Sequence, residues 1–266
     1  RSTLFPYTTL FRSAYSLVRE FNQPTTVIVK HNNPCGVAND PILAQSAAKA
    51  LECDPASAFG GIIAFNRTVD PEMAMVFKTL FIEVVIAPDF HPDALKIFEA
   101  KKNLRILKAP LSVPAEYDIK KLDGGYLIHN PDRLSYDPNQ LKTVTNLSPN
   151  DQERESLLFG WIVAKHVKSN AIILTKGLQT VGIGAGQMSR IDSLKIACIK
   201  AEGKEVGSVL ASDAFFPFPD VVEAAAKHGI KAIIQPGGSI HDQDSIDACN
   251  RLGIGMIFTG IRHFRH

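Results

Sequence analysis

Short apolar runs and helical stripes alternate along this chain. Residues 25–30 (Thr-Thr-Val-Ile-Val-Lys) form a run of strand length after Pro24, and residues 60–65 form another, opened by a glycine pair. Between them, residues 41–53 place Ile42, Leu43, Ala47, Ala50 and Leu51 at helical spacing, with Asp40 positioned as a cap. Asp70-Pro71 starts a helix through Leu80, residues 83–87 read as a strand and 91–101 as a helix. Residues 14–21 suit an opening helix, which gives the first half a βαβαβ pattern.

The second half repeats this alternation. Residues 171–175 and 180–183 read as a hairpin turning near Lys176-Gly177, and Ser189 caps a helix to Lys200. Strands at 207–211, 230–234 and 254–259 alternate with helices at 219–228 and 243–252. A helix at 151–168 opens this half, and the proline-punctuated stretch 109–150, with Pro110, Pro114, Pro131, Pro138 and Pro149, connects the halves. The expected fold is α/β with two related lobes, 14–150 and 151–266, each a mainly parallel sheet covered by helices on both faces. Residues 1–13 show no clear period and read as a non-native leader, outside the fold argument.

Composition narrows the classes. A chain of 266 residues, 45% hydrophobic, supports a substantial core. Its 29 basic and 27 acidic residues leave a net charge of +2, too balanced for a nucleic-acid footprint. Cys35, Cys53, Cys198 and Cys249 lack the paired short spacings of a zinc site or disulfide framework. No apolar run approaches bilayer length and no secretory leader is evident, so a cytoplasmic protein without membrane attachment is expected.

The sharpest chemical signal is where the run 25–30 delivers Lys30 and His31 into Asn32-Asn33-Pro34-Cys35-Gly36. Ligands of open α/β sheets gather beyond the carboxyl ends of strands, so a Lys-His pair there suits acid/base chemistry. A strand end meeting water is the plainer reading. The segment resembles the Lys-His-x-Asn-Pro-Cys-Gly motif of the AICAR transformylase family of purine biosynthesis. Three later blocks resemble the same family in order: Ser169-Asn170 with residues 181–190 (Val-Gly-Ile-Gly-Ala-Gly-Gln-Met-Ser-Arg), residues 212–218 (Ser-Asp-Ala-Phe-Phe-Pro-Phe), and residues 259–266 at the end.

That resemblance implies a duplicated cytidine-deaminase-like fold and transfer of a formyl group from 10-formyltetrahydrofolate to the 5-amino group of AICAR. It makes His31 the general base. Lys30 is either a donor to the developing oxyanion or the proton donor to the departing folate nitrogen. It further implies Asn170, Phe215, Gly60, Glu83 and Arg262 as nucleotide contacts, and Arg190, Asp220, Gly238 and Ser239 as folate contacts. Arg262 suits phosphate through its guanidinium fork. On pattern alone Asn170 is a turn former, Phe215 a core residue, Asp220 a helix cap and Gly237-Gly238 a turn. The run Gly182-Ile183-Gly184-Ala185-Gly186 lacks the third glycine of a dinucleotide fingerprint and is expected to let backbone approach a ligand.

Other classes are weighed by motif. Zinc deaminases need His-x-Glu and Pro-Cys-x-x-Cys; Pro34-Cys35 has no second cysteine in reach and no histidine precedes a glutamate by two. No zinc is expected, and no residue is assigned to a metal. The family's preceding cyclohydrolase half and its Arg-Tyr-Gly-x-Asn-Pro-His-Gln segment are not found here. A truncated product that binds nucleotide without turnover, and without cyclohydrolase activity, is therefore the alternative. The resemblance also implies a homodimer with sites where subunits meet.

Overall fold

The computed structural model describes residues 7–111 and 117–265. Residues 1–6 of the excluded opening stretch, Pro114 with its neighbours in 112–116, and His266 lie outside the described residues. In chain order the elements are α1 (Tyr7–Val18), β1 (Thr25–Lys30), β2 (Asn33–Asn39), α2 (Leu43–Cys53), α3 (Pro55–Ala58), β3 (Gly61–Phe65), α4 (Pro71–Val76), β4 (Ile82–Ala87), α5 (Pro92–Glu99) and β5 (Arg105–Lys108). There follow β6 (Asp118–Leu122), β7 (Gly125–His129), β8 (Lys142–Thr143), α6 (Asp151–Ala164), β9 (Ile172–Thr175), β10 (Thr180–Gly184), α7 (Arg190–Ala201), β11 (Val209–Ser212), α8 (Asp220–Lys227), β12 (Ala232–Gln235), α9 (Asp242–Leu252) and β13 (Gly255–Phe258).

Two sheets share one topology. The first runs β2-β1-β3-β4-β5, and the second repeats that order as β10-β9-β11-β12-β13 and adds β8 at its far edge. In each, the opening hairpin makes the second strand from the edge antiparallel to both neighbours, and only the next three strands pair in parallel. The sheets are therefore mixed rather than mainly parallel in their ladders. In the first sheet the difference comes from β2, where Pro34 and Gly36 interrupt an apolar pattern that Val37-Ala38 continues.

Alternation along the strands sorts the core. Val27, Val29, Ile62, Ala64, Val84 and Ile86 face α1 on one side of the first sheet, while Ile28, Ile63, Phe65 and Val85 face α2, α4 and α5 on the other. The second sheet turns Ile173, Ala211, Ile234 and Ile257 toward α6, and Ile172, Leu174, Leu210 and Ile233 toward α7, α8 and α9. The α1 and α6 sides merge into one apolar cluster, joined by the Phe21 and Phe159 rings at 5.3 Å. Full burial of each such large side chain contributes roughly 1.5–3 kcal/mol, so this shared layer holds the halves together. Among the described residues no helix is long and apolar enough to cross a membrane.

The hairpin edges also meet. The Val37 N–H donates to Thr180 Oγ1 at 2.9 Å, Thr180 Oγ1 donates back to the Val37 carbonyl at 3.2 Å, and the Asn39 N–H donates to the Leu178 carbonyl at 2.9 Å. Each edge strand then packs on a helix through a glycine. A Cβ at Gly36 would lie 1.9 Å from the Ala50 carbonyl oxygen of α2; one at Gly182 would lie 2.1 Å from that of Ala197 in α7, and one at Gly184 1.8 Å from that of Ser193. Gly182 and Gly184 thus admit a helix backbone, not the ligand that the sequence reading gave them.

Capping explains several boundaries. Asp70, Asn150 and Ser189 cap α4, α6 and α7, with a full capping box between Asn150 and Glu153. Asp40 does not cap α2; it accepts from the Ile42 N–H and pairs with Lys49, and the helix starts at Leu43 without a side-chain cap. α1 extends back to Tyr7, into the stretch set aside on sequence grounds. The expected connector contains β6 and β7, a hairpin around Asp123-Gly124 with Gly124 at φ +82°, and β8, which pairs with β13.

Behind the α1 and α6 termini lies a buried polar knot. Glu20 accepts from Lys165 Nζ at 3.0 Å and from His166 Nε2 at 3.0 Å, while Arg265 donates to His166 Nδ1 at 3.0 Å. Burial raises the Glu20 carboxyl, but His166 and Lys165 outweigh it and hold it near 2. Burial, reinforced by Arg265 and Lys165, pushes His166 down to about 4 against the pull of Glu20, so the folded imidazole is neutral. Both shifts have the same sign for stability. The unfolded chain takes up protons on histidine below its ordinary 6.5 and on glutamate below its ordinary 4.5, whereas the native state resists until about 4 and 2.

Two expectations follow from this packing. Urea denaturation at pH 7 and pH 5 should show a stability loss at the lower pH, to which His166 contributes about 2 kcal/mol, and His166→Gln should flatten it; equal slopes in both proteins would place the effect elsewhere. Gly182→Ala should cost about 3 kcal/mol in the same assay, because β10 and α7 must separate.

Candidate active site

β1 turns into β2 through His31 and Asn32, with φ +49° and +70° between the paired Lys30 and Asn33. Positive φ at both central residues is the twist that a two-residue hairpin loop requires, and Asn and His tolerate it better than most residues. The tip is tethered, because Asn33 Oδ1 accepts from the Lys168 N–H at 2.9 Å. His31 is left exposed on this fixed loop.

Lys30 bends toward the loop before β3. Its ammonium donates to the Phe59 carbonyl at 2.7 Å and to the Gly60 carbonyl at 3.1 Å. Gly60 sits at φ +65°, and a Cβ there would stand 3.0 Å from Lys30 Nζ. Its N–H donates to the Phe81 carbonyl at 2.8 Å, and the exposed Phe59 and Phe81 rings lie 5.2 Å apart. Glu83 is the extra residue where Gly61 pairs with Ile82 and Ile62 with Val84, a bulge that re-aims its side chain. Lys30, His31 and Gly60 are thus gathered at one end of the first sheet, and Glu83 lies at that same end.

That end differs from the expected one. β1 runs against its neighbours, so the carboxyl end of β1 is the amino end of β2, β3 and β4. What places Lys30 and His31 in a concavity is the second half. A cleft of about 240 Å³ has Lys30, His31 and Asp54 on one wall and Ile183, Ala185 and Lys200 on the other. An ion pair spans it, Lys200 Nζ to Asp54 Oδ2 at 2.8 Å. Burial raises the Asp54 carboxyl, but Lys200 and Ser57 outweigh it and hold it below the usual carboxylate range. Cys35 also lines the cleft, its thiol pushed far up by burial and by neighbouring Cys53 and Asp54, which leaves it a poor nucleophile.

The remaining expected contacts collect at one end of the second sheet. Asn170 precedes β9, Arg190 follows β10, Phe215 and Asp220 follow β11, Gly238 and Ser239 follow β12, and Arg262 follows β13. None of these seven lines the cleft of Lys30 and His31. Asn170 Nδ2 donates to the Gln187 and Met188 carbonyls at 2.9 and 3.1 Å. Arg190 is bound to Asp213 Oδ1 and Ser212 Oγ, both at 3.2 Å. Asp220 accepts from the Val221 N–H of its own helix at 2.8 Å, the Gly238 N–H donates to Asp242 at 2.7 Å, and Ser239 Oγ accepts from the His241 N–H. Phe215 is half-buried while Phe216 is fully buried, and the exposed Arg262 lies over the Phe264 ring at 4.9 Å.

The sequence reading missed Asp54, Ser57, Asn33 and Lys200. Asp54-Pro55 is a helix-start signal that it passed over, and nothing local marks Lys200. Among the described residues no group of three or more His, Cys, Asp or Glu is placed to hold a metal.

The profile of the family described as AICARFT/IMPCHase bienzyme matches residues 9–200. The chain is 55% identical over 254 residues to the bifunctional purine biosynthesis protein PurH of Thermoanaerobacter sp. (strain X514), covering 96% of this chain and 50% of that protein. It is 52% identical over 256 residues to the PurH of Caldicellulosiruptor bescii and 52% identical over 258 residues to that of Aquifex aeolicus, with the same coverage of each. The chain spans about half the length of these curated relatives. With the profile matching residues 9–200 and these relatives aligned over 96% of its length, the chain belongs to the AICARFT/IMPCHase bienzyme family.

Proposed function

We propose that this chain is a formyltransferase, moving the formyl group of 10-formyltetrahydrofolate to the 5-amino group of AICAR in cytoplasmic purine biosynthesis. The amine is a weak nucleophile, its lone pair delocalised into a ring that carries a carboxamide. His31 takes its proton as the new N–C bond forms at the formyl carbon. Negative charge then gathers on the formyl oxygen, and the C–N bond to the folate breaks as that nitrogen gains a proton. Lys30 serves one of these two needs, as donor to the oxyanion or to the leaving nitrogen.

The observation that carries this reading is the Lys30 ammonium fixed by two carbonyls beside His31 on a twisted, tethered loop. Such preorganisation costs no rearrangement during reaction. In the same reading, Gly60 and Glu83 meet the nucleotide from the first sheet's end, while Asn170, Phe215 and Arg262 meet it from the second's, with Arg190, Asp220, Gly238 and Ser239 toward the folate. Because those seven residues are not among the ones that line the cleft, a homodimer in this reading would complete each site with a partner's second-sheet end. We also read the two five-stranded orders as cytidine-deaminase-like lobes, on the strength of their shared hairpin-plus-parallel topology.

The test mixes protein, AICAR and 10-formyltetrahydrofolate and follows tetrahydrofolate release. Turnover is expected, and His31→Ala should lower kcat by roughly 10²–10⁴ while changing nucleotide affinity far less. Equal loss of both would make His31 structural. Full turnover by a species sedimenting as a monomer would overturn the shared site.

A further inference from the structure

We infer that Asp54, held across the cleft by Lys200, is a positioning residue that sets the carbonyl cradle for the Lys30 ammonium. The inference rests on the proposed role of Lys30 and adds Asp54 and Lys200 to it.

The chain of contacts is continuous. Asp54 is the N-cap of α3: one carboxylate oxygen accepts from the Ser57 N–H at 3.0 Å and the other from Ser57 Oγ at 2.6 Å. The Asp54 carbonyl accepts the Ala58 N–H at 3.1 Å, closing the single turn. That turn ends at Phe59 and Gly60, whose carbonyls are the two acceptors of Lys30. A four-residue helix has little stability of its own, so its orientation depends on the cap.

Lys200 fixes that cap from the other half. Its ammonium meets Asp54 Oδ2 at 2.8 Å and donates to Ser57 Oγ at 3.3 Å, reaching both members of the cap. The Asp54 side chain is 11% exposed and that of Lys200 40%, so the carboxylate is shielded while the lysine still meets solvent, and the cap contacts on Ser57 add to what the ion pair contributes. Lys200 lies in the last turn of α7, the helix whose first residue, Arg190, is bound to Asp213 at the far end of the second sheet. One rigid helix therefore links the second sheet's loop cluster to the loop that holds Lys30. A displacement of α7 would be felt at the Lys30 ammonium through Asp54.

Two measurements decide this, using the full chain. In the first, trace acetic anhydride labels lysines and mass spectrometry reads Lys30 against Lys227 on α8. Lys30 labelling should rise several-fold in Asp54→Ala and in Lys200→Met, and least in Asp54→Asn, which keeps a capping oxygen. Unchanged Lys30 labelling overturns the inference, and this arm needs no turnover. In the second, kcat should fall about ten-fold in Asp54→Ala with KM for AICAR nearly constant, and Asp54→Ala should add nothing in a Lys30→Met background. Additive losses would mean that Asp54 acts other than through Lys30 and would overturn the inference. Absence of turnover in the unmodified chain would count against the proposed reaction instead, leaving the labelling to judge the clamp.

Discussion

Hydrogen bonds between the outer hairpin strands of two sheets are the constraint on which the rest depends. Val37 and Thr180 exchange donors and acceptors, and Asn39 reaches the carbonyl of Leu178. An exposed sheet edge is a row of unpaired polar groups, and here each half closes the other's edge. The consequence is geometric. The tip of the first hairpin, with Lys30 and His31, is brought against the end of β10, and the cleft exists only because both halves contribute a wall.

Close approach at that seam demands residues without side chains. Gly36 on β2 and Gly182 and Gly184 on β10 let α2 and α7 pack backbone against backbone. The same contact recurs in both halves at equivalent strands, which is the clearest physical sign that the two units follow one plan. It also fixes α7 tightly enough for Lys200 to reach Asp54 across the boundary. The buried knot of Glu20, Lys165, His166 and Arg265 does for the opposite side what the hairpins do here, tying the ends of α1 and α6 to the chain's final segment.

Much of the local structure was legible in the chain. Asp70 and Ser189 stand where helices begin, because their side chains satisfy free backbone N–H groups wherever the helix packs. Apolar alternation located the buried strands. Less legible were β2, hidden by its proline and glycine; β5 and β6, whose side chains are largely exposed; and the short helix α3. Asp123-Gly124 flanked by apolar residues was a hairpin signal that went unread.

The sequence by itself determined the buried strands of apolar alternation, most of the longer helices, and that Lys30 and His31 stand together at a strand end, since these depend on near neighbours. Tertiary structure decided strand direction, the purpose of the glycines and the partners of the charged groups. Reversal of β1 put the Lys-His pair at the amino end of the parallel strands, and α7 delivered Lys200 to Asp54, 146 positions earlier in the chain. Periodicity carries information over a turn or two of chain. A contact between residues so far apart is set only when both sheets have packed and buried their shared face.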